Sequence, residues 1–203
     1  ITLTTVGSGS VGTSQLADDA VTTAKINDGA VTSAKLDSGL GLGKIGQVIQ
    51  TNKVDTFSSS STSFTDVTGL TASITPTATS SKILVNLRIS YSMGDAHNTG
   101  MMLRLLRGST VISGGTAASS RPSALMRYNY ATAGNGYYSL FYSTGDVSTN
   151  FLDSPNSTDS QVYKIQGIVN GSNSLHINRT GTDSDGANYP RTNSTITLME
   201  VLA

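Results

Sequence analysis

Two histidines, one glutamate and no cysteine limit the chemistry this 203-residue chain can carry. A nucleophilic triad needs a base oriented by an acid, and the histidine bases on offer are His97 and His176. His97 lies in the polar run Gly94-Asp95-Ala96-His97-Asn98, and His176 alternates with Leu175 and Ile177 as on a strand. The plain reading of both is a surface or interface histidine. Three copies of one histidine around a symmetry axis could bind a metal, an idea that rests on symmetry alone. Asp183-Ser184-Asp185-Gly186 begins like a calcium loop, with oxygen ligands alternating before a glycine, but lacks the later bidentate glutamate. It reads as a solvated turn. A glycosidase needs two carboxylates flanking a cleft, and Glu200 is alone on the last expected strand, so a depolymerase would have to be built from aspartates. The expectation is no enzyme, no metal and no cofactor.

Aromatic residues point toward binding instead. Eight tyrosines and no tryptophan are present, and Tyr128, Tyr130, Tyr137, Tyr138 and Tyr142 surround the run 131–136, Ala-Thr-Ala-Gly-Asn-Gly. Flat amphipathic rings beside Asn, Ser and Gly are the composition of adaptable binding loops. Three segments, 95–100, 131–137 and 183–189, supply the ligand-binding candidates His97, Asn98, Asn135, Tyr137 and Tyr189. A glycan or an outer-membrane protein would suit them. Tyr138 and Tyr142 read equally well as lining a core or a seam between subunits. Sequons begin at Asn156, Asn170, Asn178 and Asn193, as a chain so rich in Ser and Thr produces by chance.

The elements that must hold these loops are strands. From Gln47 onward, short runs rich in Val, Ile, Thr, Tyr and Phe are separated by Ser, Asn, Asp and Gly clusters. Strands are expected at 47–57, 64–75, 82–93, 101–113, 123–130, 137–143, 161–170, 174–178 and 194–202. That number suits a jelly-roll-like β-sandwich. Net charge is zero and only 13% of residues are charged, so no global field draws the chain to nucleic acid. No apolar run approaches the roughly 20 residues of a membrane span, and no insertion is expected. The chain opens on Ile1, which suggests a fragment or processed product.

Residues 1–39 follow another rule. Ile1, Val6, Val11, Leu16, Val21, Ile26, Val31 and Leu36 recur every five residues, and Ala-Val-Thr-x-Ala-Lys-(Ile/Leu) appears twice, ten residues apart. A five-residue step turns a side chain about 140° on a helix and flips it across a strand, so neither element gathers the set on one face. A ten-residue unit cannot bury such residues alone. Identical chains lying parallel can, each apolar residue packing on its own copies. The expectation is a parallel homotrimer with Val11, Leu16, Val21, Ile26, Val31 and Leu36 toward the axis. The run 195–201 would be buried on both faces where three domains meet. The organisation is thus a repeat stalk at 1–39, a Gly-rich junction at 40–46 and a sandwich at 47–203.

The decad resembles repeats of bacteriophage tail-fibre and head-fibre proteins. The second part is similar to tip domains of marine phage fibres through TNKVDTFSSSSTSFTDVTGLTASITPTATSSKILV (51–85), FLDSP (151–155) and INRTGTDSDGANYPRTNSTITLMEV (177–201). The resemblance implies a trimeric fibre in the virion, on tail or head, joined to other virion proteins at its N-terminal end. It lies in framework strands and transfers no binding residues. An adhesive fibre is the favoured function; a polysaccharide depolymerase at the tip and an architectural head fibre without a specific receptor are the alternatives.

Overall fold

The structure is a computed structural model that describes residues 21–32, 35, 44–94, 99–130 and 143–202. The chain divides into two compact units, Ile1–Leu42 and Gly43–Ala203. In the first, the sequence repeat has a structural counterpart. Lys25 N–H donates to Thr22 C=O at 2.9 Å, and ten residues on Lys35 N–H donates to Thr32 C=O at 2.9 Å. The first of these closes a 3-10 turn over Thr23–Lys25. Between the two, Ala30 N–H returns to Asn27 C=O across Gly29, whose φ of 77° is one a side chain would resist.

The second unit contains β1 (Ile45–Lys53), β2 (Phe57–Ser59), β3 (Thr65–Ile74), β4 (Lys82–Met93), β5 (Thr99–Arg107), β6 (Thr110–Val111), β7 (Met126–Tyr130), β8 (Gly145–Asp153), β9 (Gln161–Asn170), β10 (Leu175–Ile177) and β11 (Ser194–Val201). One sheet runs β1-β11-β4-β10-β2, with β8 on the far edge of β4; the other runs β3-β9-β5-β6, with β7 also beside β5. Because β1 and β2 share one edge, and β10 and β11 share one side of β4, the sheets reduce to the orders 1-11-4-8 and 3-9-5-7. Successive strands alternate between sheets except at β5–β7, which is the double Greek key of a jelly roll.

Period-two alternation builds the core. Ile83, Val85, Leu87 and Ile89 of β4 face Leu103 and Leu105 of β5 and Ile165 of β9 in one buried cluster, joined by Ile196 and Leu198 of β11. Tyr163, fully buried, turns its hydroxyl to Asp153 Oδ2 at 2.7 Å, which also accepts from Arg107 Nη1 at 2.5 Å. Burial and the adjacent carboxylate push the Tyr163 pKa up. The three side chains link β5, β8 and β9 at one end of the sandwich.

Several expected boundaries differ. The run 101–113 is two strands, because Gly108 at φ 56° turns the chain and Arg107 pairs Thr110. The run 47–57 breaks between Lys53 and Phe57, where Asn178 Nδ2 donates to Lys53 C=O at 2.8 Å and Asp55 C=O at 2.9 Å. Ile45 and Gly46 belong to β1 rather than to a flexible junction; a Cβ on Gly46 would stand 2.9 Å from Leu202 and 3.1 Å from Glu200 Oε2, so this glycine makes room. Strand β8 was not expected, since Asp146, Ser148 and Asn150 mask its alternation with Val147 and Phe151. The expected strand 137–143 falls almost entirely outside the described residues.

Candidate functional site

Of the sequence-named ligand candidates, Tyr189 is described; His97, Asn98, Asn135 and Tyr137 lie outside the described residues. Tyr189 is half-buried in a turn closed by its N–H on Gly186 C=O at 3.0 Å. The turn before it is tied down by charge rather than open to a cation. Asp183 bridges Arg179 at 3.2 Å and Arg191 at 2.7 Å. Among the residues named for the trimer axis, Val21, Ile26 and Val31 are exposed in the single chain, and Val11, Leu16 and Leu36 lie outside the described residues. Tyr128 lies on β7, within the expected strand 123–130, and its ring meets Tyr91 at 6.3 Å between centroids, against the core.

His176 is not at the surface. It is 7% exposed, on β10 between Ser92 of β4 and Ser58 of β2, and its Nδ1 lies 2.8 Å from Ser58 Oγ. Burial, reinforced by the charge of Arg179, pulls its pKa down to about 4 against a smaller opposing effect of Asp183, so the ring is neutral at pH 7. Beside it the segment 178–193 crosses the outer face of the sheet through buried polar bonds. Ser194 Oγ donates to Asn178 Oδ1 at 2.6 Å, Thr192 Oγ1 to Ser90 Oγ at 2.9 Å, and Ser92 Oγ to Arg179 C=O at 2.8 Å. A serine hydroxyl on an imidazole is two-thirds of a triad. Among the described residues no carboxylate bonds that imidazole, and Asp183 is held by its two arginines.

A second site escaped the sequence reading because arginines spread over 24 residues form no motif. Along the edge of β5 where β6 and β7 pair, the segment 112–125 leaves and rejoins β5 along a fixed path. Ile112 N–H bonds Leu105 C=O at 3.1 Å, Leu105 N–H bonds Ser113 Oγ at 3.0 Å, Ser123 Oγ bonds Ser113 C=O at 2.7 Å, and Leu125 N–H bonds Leu103 C=O at 2.8 Å. Gly114, at φ 100°, passes so close to the Ala124 backbone that a Cβ would collide with it. A reciprocal pair of bonds between Ala118 and Arg121 closes a tight turn through Ser119, itself at φ 56°.

Two open grooves of about 510 and 320 Å³ adjoin at Gly115, Thr116 and Pro122 of this segment. Arg104 lines the first; Arg121 and Arg127 line the second. Arg104 lies 3.7 Å from the centroid of Phe64 and donates to Gln166 Oε1 at 2.6 and 3.0 Å; Arg127 donates to Asn129 Oδ1 at 2.9 Å. Burial pulls the Arg104 pKa down, as expected for a cation whose direct neighbours are neutral. Of the chain's seven arginines, Arg88, Arg107, Arg179 and Arg191 each meet an aspartate. The other three, without a carboxylate partner among the described residues, are those of the two grooves.

No protein-family model and no curated protein matches the chain. Solved structures that resemble it include a mutant VP2 protein of infectious bursal disease virus in derived T=1 particles, at TM-score 0.35 and 15% identity over 77% of this chain and 36% of that one. A structure of the Gx strain of the same virus gives TM-score 0.34 and 14% identity over the same shares. The VP2 subviral particle of that virus gives 0.34 and 15%, over 77% and 37%. The chain therefore spans little more than a third of the length of these viral proteins.

Proposed function

We propose that the chain is a virion structural protein, a parallel homotrimeric fibre in which residues 1–39 form the stalk and the jelly roll forms an adhesive tip. One observation carries this reading. Val21, Ile26 and Val31, five residues apart, are 58%, 41% and 51% exposed in the single chain, within a unit where the backbone bond at Lys25 is repeated ten residues on at Lys35. Regularly spaced β-branched residues left in water call for copies of themselves.

The sandwich offers a matching surface. Across the outer face of the first sheet, Val48 pairs Met199, Met199 pairs Leu84 and Leu84 pairs Leu152, forming an apolar row over four strands. Val48 is 55% and Leu152 48% exposed, and β1 is the strand that directly follows the repeat. A row of this kind suits burial between tips already held together by their stalks. The tip then works by binding a host-surface glycan or outer-membrane protein rather than by hydrolysis, in keeping with a Ser58–His176 pair that has no carboxylate bonded to it among the described residues. Sedimentation at micromolar concentration should give a trimer; a stable folded monomer would overturn the fibre. Incubation with host polysaccharide should release no new reducing ends.

A further inference from the structure

We infer that the paired grooves around residues 112–125 bind an anionic glycan chain, one bearing carboxylate or sulfate groups. The inference deepens the attachment reading and rests on it for its biological setting. Four features carry it. The arginines without a carboxylate partner among the described residues converge here, although nothing about a net-neutral protein requires unpaired cations to gather in one place. Among the described residues, no Asp or Glu lines either groove. The carboxylate this sheet face does carry, Asp66, is held by Lys164 at 2.9 Å and reaches Arg104 only through Gln166.

Register adds the third feature. Met102 stands opposite Arg127, and Arg104 follows two residues later on the same face, so Arg104 and Arg127 are rooted at diagonal positions whose backbones lie about 7–8 Å apart. Two cations rooted on one sheet face repel, and an anion between them turns that repulsion into attraction. Guanidinium forks suit carboxylate and sulfate oxygens in a bidentate manner. The fourth feature is the wall itself. The tethers at Ser113, Ser123 and Gly114 and the closed turn at Arg121 hold the segment in one shape before any ligand arrives, which lowers the entropy lost on binding. Sugar hydroxyls would meet Thr116, Ser123 and the open backbone of Gly115, and sugar C–H faces would meet Met102 and Pro122. A nucleic-acid strand fits poorly, since among the described residues no aromatic ring lines the grooves to stack a base.

The test is retention of the 203-residue chain on immobilised alginate, which carries carboxylates, on heparin, which adds sulfates, and on neutral dextran. Retention on one or both anionic polymers and not on dextran is expected, and the preferred polymer identifies the anionic group. The exposed pair Arg121→Gln/Arg127→Gln should weaken binding at least ten-fold, whereas Arg88→Gln/Arg191→Gln, which removes the same charge elsewhere, should change it less than two-fold. Equal losses in the two double variants, no retention on either anionic polymer, or stronger retention on single-stranded RNA would each overturn the inference. Sedimentation of the same samples separates the two readings. A trimer that binds neither polymer overturns the groove and leaves the fibre; a monomer that binds alginate overturns the fibre and leaves the groove.

Discussion

Glu200 shows how a single charge is kept inside this sandwich. It is fully buried at the end of β11, and burial by itself would raise its pKa. Hydrogen bonds reverse the sign. Gln47 Nε2 donates at 2.8 Å, Thr77 N–H at 2.6 Å and Thr77 Oγ1 at 2.7 Å, and the Ser81 hydroxyl adds a pull without meeting hydrogen-bond geometry, so the pKa falls to about 2. A folded pKa below the unfolded one stabilises above the unfolded value near 4.5, and that contribution is lost as pH falls through about 2. Glu200→Gln should therefore cost about 1–3 kcal/mol at pH 7, by urea denaturation, with the gap to the parent closing below pH 4.5. His176 acts in a different window. Its folded pKa of about 4 lies below the ordinary 6.5, so the unfolded chain takes up the proton first and stability drops as pH falls from 6.5 toward 4. His176→Asn should flatten that part of the pH profile whatever it does to stability at pH 7.

At the scale of elements, the segment 112–125 depends on one close approach. Gly114→Ala would drive a methyl into the Ala124 backbone at a φ that side chains resist, and should cost about 2 kcal/mol or more while loosening the groove. Hydrogen exchange should accelerate at Leu105, Ile112 and Leu125 and leave the β4–β11 ladder unchanged. Strand existence was largely legible: runs such as Lys82–Met93 and Gln161–Asn170 announce themselves by alternation of branched apolar residues. Strand ends were less so, because Gly108 and the 53–57 break act through a turn and through Asn178, which is more than a hundred residues away in sequence. Strand β8 was missed because an edge strand needs apolar residues on one face only, and serine, aspartate and asparagine occupy the other.

At the scale of the whole molecule, the fibre reading makes a directional claim. If Ile26 packs on an axis, Ile26→Asp brings three carboxylates together in an apolar seam, which costs several kcal/mol per trimer. Lys25→Asp, one residue earlier, should be tolerated. Limited proteolysis that cuts the Ile26→Asp stalk no faster than the Lys25→Asp stalk would remove Ile26 from the axis. Val48→Glu/Leu152→Glu should likewise weaken association of the tips, read as a shift of trimer toward monomer on dilution.

By itself the sequence determined the mainly β character of the second unit and the ten-residue repeat of the first, because these follow from local periodicity that every residue carries with it. The tertiary structure alone decided which sheet each strand joined, that His176 is buried and neutral, and that Arg104, Arg121 and Arg127 share one surface. Those outcomes depend on strand pairing across long stretches of chain, and the pairing energy of a strand lies in its neighbours rather than in its own residues.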